Sequence, residues 1–131
     1  MLLQAAILLT ALLFGGMILY SFGFASFLFS ALPADAAGPL LRRAFPHFYI
    51  FVIGCALCGA ALTAAIDVTS TVILGLIAVT ALLARQILMP AINVATDTGN
   101  RTRFGILHTG SVLVTLAHIF GSSAVILRLS A

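Results

Sequence analysis

The sequence predicts an all-α protein, an antiparallel four-helix bundle embedded in a membrane as a single domain. Three observations carry this. The 131 residues are 63% hydrophobic and only 7% charged, against about 25% charged in an ordinary soluble domain. Four apolar stretches fall at about residues 2–32, 48–66, 71–95 and 104–127, each near the length a helix needs to cross the hydrocarbon layer. The few charges sit mainly at the borders of these stretches, as six arginines without a lysine against Asp35, Asp67 and Asp97. Nucleic-acid binding needs cations gathered on a solvated surface. Cations at segment ends set topology instead.

The first stretch lacks the basic leading region of a signal peptide and is too long for one, so it reads as a retained span. The next connection holds Pro33, Gly38, Pro39 and Pro46 around Arg42 and Arg43. It is expected to form a short interfacial segment between helices one and two, with its arginines at headgroup level. Segment two carries Gly54, Cys55, Cys58 and Gly59, small residues at a spacing that lets helices approach closely in lipid. Cys55 and Cys58 lie nearly on one face, where a thiolate pair suits a soft metal ion; the simpler reading is a pair of small buried apolar side chains. Asp67 or Ser70 caps the third helix. That helix contains Arg85 and Gln86, and Pro90 is expected to kink it.

Segment four places His108, Ser111, Thr115, His118 and Ser122 at spacings of three and four, which puts them on one helical face. Antiparallel spans convert sequence position into depth at about 1.5 Å per residue. On that scale His47, Tyr49, Asn93, Asp97, Arg101, His108 and Ser111 fall into one layer at one mouth of the bundle, with Arg85 somewhat deeper. His118 lies near mid-membrane, where a neutral imidazole bonded to a neighbouring helix is the expected state and an axial haem ligand the alternative. His47 and His108 with Asp97 offer donors for a metal, without a recognised spacing. Ser111 stands beside His108 with no third partner, so no nucleophilic triad is formed.

Leu32 and Pro33 with Ala37 and Gly38, the run Phe45, Pro46, His47, Phe48, Tyr49, then Pro90, Ile92, Asn93 and Asp97, then Phe104, His108 and Ser111 together carry a likeness. The chain resembles the four-span membrane family of unknown function that includes transmembrane protein 205. That resemblance implies four helices with the polar cluster at the cytoplasmic mouth, and no defined activity. The bundle is more distantly similar to the membrane domains of copper-resistance D proteins and to four-helix haem-binding protoporphyrinogen oxidases, a likeness of fold alone. The absence of lysine and the single mid-membrane histidine do not carry a haem site across.

The arginines Arg42, Arg43, Arg101 and Arg103 share one side of the four spans, with Arg128 on the other. The positive-inside rule then places the first and third connections in the cytoplasm and both termini outside an inner cell membrane. The expected function is that of a small transport, tolerance or accessory subunit, more a non-enzymatic component than an enzyme. It would work in the lipid bilayer by self-association or within a larger complex, without nucleic acid and with no cofactor required. A haem- or metal-binding redox protein using His118, His47, His108 or the two cysteines is the alternative.

Overall fold

The computed structural model describes residues 1–131. Four long apolar helices account for almost all of them: α1 (Leu2–Ala31), α2 (Ala34–Thr63), α3 (Val68–Asp97) and α4 (Arg101–Ser130), each of 30 residues. A helix of that length rises about 45 Å, about 15 Å more than the hydrocarbon layer is thick. The helix ends therefore stand among the lipid headgroups. Successive helices pack side by side in opposite directions, and α1 also packs on α4, so the four close into a ring.

The connections are short because each helix end supplies its own stop and start. At the α2–α3 turn the Asp67 carboxylate accepts the Ser70 backbone N–H at 3.1 Å and the Ser70 hydroxyl at 2.6 Å, satisfying donors that open α3. At the far end of α3, Gly99 takes φ of 68°. Its N–H bonds to the Thr96 carbonyl, and that of Asn100 bonds to the Ala95 carbonyl. This is the left-handed glycine closure that ends a helix and reverses the chain. Asn100 then caps α4, its side-chain oxygen accepting from the Arg103 N–H.

One expectation needs correcting. No separate interfacial segment lies between α1 and α2; the linker is Leu32 and Pro33, and α2 is helical from Ala34 through Pro39 and Pro46. Pro33 starts the helix, its carbonyl accepting from Ala36 and Ala37. Inside a helix each proline removes a hydrogen bond and crowds the preceding turn. Near Pro46 two neighbouring helices bond to the backbone of α2: Tyr20 Oη donates to the Ala44 carbonyl at 2.9 Å and Arg85 Nε to the Pro46 carbonyl at 3.2 Å. The stretch holding Arg42 and Arg43 is thus the headgroup end of a span.

Two helices change pitch. Residues Leu19–Phe24 of α1 and Ala84–Leu88 of α3 form π turns, each of which inserts one residue and rotates the remainder of its helix. The second lies directly before Met89 and Pro90, so the turn disturbed by the proline is already rewound. Both lie towards the Pro33 end of the bundle, at the depth of Pro46, Tyr20 and Arg85.

The core is close-packed around Leu13, Met17, Val52, Leu74 and Val125, all fully buried. Glycine makes two of the contacts possible. A Cβ on Gly16 would stand 2.6 Å from the Phe51 ring, and one on Gly59 would stand 3.1 Å from Leu74. The outward faces present Leu8, Leu76, Ile106 and Phe120. Lipid is as apolar as these side chains, so packing within the bundle, rather than escape from water, holds the helices together. Leu74→Ala should therefore cost mainly the cavity it leaves, about 1–3 kcal/mol, whereas the exposed Leu76→Ala should be nearly neutral. Unfolding titrations of the two variants in mixed micelles check this difference.

Candidate functional site

Two arginine–aspartate pairs clamp α3 at its ends. Near the Pro33 end of the bundle, Arg42 on α2 meets Asp97 on α3 through two parallel bonds, Nη1 to Oδ1 at 2.7 Å and Nη2 to Oδ2 at 2.9 Å. At the opposite end, Arg128 on α4 meets Asp67, Nε to Oδ2 at 3.0 Å and Nη2 to Oδ1 at 2.9 Å. Both use the planar guanidinium fork, which fixes orientation as well as distance. The Arg128 guanidinium, with Ser70, holds the Asp67 carboxyl well below the usual carboxylate range. One aspartate thus caps a helix and ties it to a neighbour.

Halfway along the bundle, the buried His118 ring on α4 meets α3 through a 2.7 Å contact between Nε2 and Thr80 Oγ1. The Thr80 hydroxyl also lies 2.7 Å from the Leu76 carbonyl. The set is satisfied when Thr80 donates to Leu76 and the imidazole N–H donates to Thr80. Around the π turn of α1, Tyr20 stacks on Phe48 at 5.1 Å and meets Phe45 edge-on at 5.6 Å. Tyr49 is buried beside Phe48 in the same aromatic cluster.

The predicted mouth cluster is divided. Asp97 belongs to the Arg42 clamp. Arg85 donates to the Pro46 carbonyl and, through Nη1, to Oε1 of the exposed Gln86 at 2.9 Å, so it is held by two amide oxygens. Asn93 is half-buried one turn from Asp97. His108 is exposed and stacks on Phe104 at 5.5 Å, while the Ser111 hydroxyl turns back to the His108 carbonyl at 2.7 Å.

His47 stands on a different face, in a groove between α1 and α2, with Phe48 and Phe51 beside it. Along α2, His47 and Tyr49 lie about 8 and 10 Å of helix rise deeper than Arg42, which meets Asp97. Asp97 and Arg101 are at the rim. Cys55 is half-buried and Cys58 exposed. No three His, Cys, Asp or Glu side chains come together, and His47, His108 and His118 remain apart.

The family described as a domain of unknown function (DUF4149) matches residues 8–101, well over half of the chain. The chain belongs to the DUF4149 family. No curated protein and no solved structure matches it. The DUF4149 match spans α1 from Leu8, all of α2 and α3, and the polar turn, ending where α4 begins. It therefore includes Arg42, His47, Asp67, Arg85 and Asp97, and leaves His108, Ser111, His118 and Arg128 outside.

Sequence reading missed both clamps, although each arginine and aspartate was visible at a helix border. Their pairing depends on rotation about the helix axes, which depth does not supply. In this DUF4149 protein the Asp67 pair should make stability acid-sensitive. The unfolded chain binds a proton near pH 4, while the folded carboxyl resists it. The contribution of Asp67 is therefore present above about pH 4 and is lost as pH falls towards the depressed folded value. Asp67→Asn should lower stability at neutral pH and flatten its decline below about pH 4, as measured by unfolding across pH. Thr80→Val should cost about 0.6–1.7 kcal/mol by leaving His118 without its interhelical partner, read by the same titration at neutral pH.

Proposed function

We propose that this DUF4149 protein is an accessory component of a larger membrane assembly, working by contact through its arginine-rich end. The observation that carries this is the state of the arginines there. Arg43, Arg101 and Arg103 are exposed and take part in neither salt bridge, on helix ends braced by the Arg42–Asp97 pair. Such a surface suits an anionic face of a partner or the headgroup layer itself.

Within the wider class of transport, tolerance and accessory subunits, the accessory role fits best. The centre of the bundle is filled by Leu13, Met17, Val52 and Leu74 and crossed by the Thr80–His118 contact. The arginine count, four against one, favours a cytoplasmic location for this end in an inner cell membrane, with both termini on the other side.

Two measurements test the proposal. Alkaline phosphatase fused after Ala131 should be active, since it would stand outside the cytoplasm; an inactive, fully expressed fusion overturns the orientation. Crosslinking in native membranes should give adducts above monomer mass that fall at least several-fold in an Arg101→Gln, Arg103→Gln variant. Monomer alone, with normal protein levels, contradicts the accessory role.

A further inference from the structure

The groove between α1 and α2 has chemistry that the contact role does not use. It is an open groove of about 800 Å³ walled by Leu12, Gly16, Phe24, Phe27, Phe48 and Phe51, with the His47 ring at its side, and its surface is almost wholly apolar. Leu12 and Phe27 are 15 residues apart on α1, so the groove runs about 22 Å along the bundle. It begins near the Pro33 end and descends into the hydrocarbon layer. Arg43 is one turn above His47 on α2, at the spacing of four that sets both on one side of the helix. Arg43 and His47 are both exposed. Arg43 has no carboxylate partner, since Arg42 takes Asp97 and Arg128 takes Asp67.

We propose that this groove is a binding site for an anionic phospholipid taken from the bilayer. One acyl chain lies along the aromatic wall. The phosphate pairs with Arg43, whose long stem lets the guanidinium reach headgroup level. The His47 N–H donates to an ester oxygen just beneath. Charge complementarity selects the occupant: a cation without a counter-ion stands on α2 one turn above His47, beside a channel shaped for a hydrocarbon chain. A second copy of the chain would bring no carboxylate at that depth, because Asp67 and Asp97 are engaged and Asp35 lies within the first turn of α2 at the rim.

Gly23 provides the test. It faces the groove, and a Cβ there meets nothing closer than its own helix's Leu19 at 3.4 Å, so Gly23→Leu fills the site without forcing the backbone. Purified protein in mixed micelles would be titrated with phosphatidylglycerol, phosphatidylcholine or inorganic phosphate, monitoring its unfolding temperature and lipid retention by native mass spectrometry. Phosphatidylglycerol should raise the unfolding temperature and be retained at least about fivefold more than phosphatidylcholine, with no effect of inorganic phosphate. Arg43→Gln should abolish the headgroup preference, Gly23→Leu should remove retention of both lipids, and Arg101→Gln should change neither. Equal retention of the two lipids by the parent, or an unchanged preference in Arg43→Gln, overturns the assignment. So does undiminished retention in Gly23→Leu, or a lipid-independent dimer that this variant dissociates.

Discussion

A charge inside or beside a bilayer has to be matched, and this chain matches four of its nine charged side chains in two clamps. Arg42 with Asp97 and Arg128 with Asp67 fix the two ends of α3 against α2 and α4. Exposed ion pairs in water contribute little, but bidentate geometry and a headgroup setting of lower polarity favour these two. The pairs also set register. Sliding α3 by one turn would part both carboxylates from their guanidinium forks at once. The rest of the bundle depends on that register: Leu74 reaches Gly59, and Thr80 reaches His118, only at the depth the clamps define.

The proline-rich side is a second constraint solved locally. Pro46, the π turns of α1 and α3, Tyr20 and Arg85 share one layer. There a hydroxyl from α1 and a guanidinium from α3 bond to backbone carbonyls of α2. The widened turn of α1 places Tyr20 for that bond and opens the aromatic groove on its other flank. Arg85 thus acts as an internal donor to backbone oxygen, which accounts for an arginine well inside an apolar segment without a carboxylate at hand.

Composition and the four apolar runs made the fold class legible, because hydropathy over about 20 residues is a strong constraint in lipid. The Asp67 cap was legible too, since its spacing to Ser70 is local. The start of α2 was not. Prolines that end helices in water read as a loop, whereas here Pro39 and Pro46 lie inside a continuous helix. Of the polar residues grouped by depth, Asp97 pairs with Arg42 at the Pro33 end of the bundle and Arg85 lies deeper, on the Pro46 carbonyl. Depth alone, however, grouped His47 with His108, and depth carries no information on which neighbour a side chain faces. The family match shares that division, covering the Arg42 clamp and the groove residues of α2 but stopping before the histidines of α4.

The dependence of the bundle on its paired charges is most directly tested by a double-mutant cycle on Arg42→Gln and Asp97→Asn, with unfolding measured in lipid-containing micelles. Each single variant should be less stable than the parent, the double variant no worse than either single, and the exchanged pair Arg42→Asp, Asp97→Arg should recover part of the loss. Additive losses in the double variant, with no recovery on exchange, would contradict the clamp as the element that fixes the register of α3.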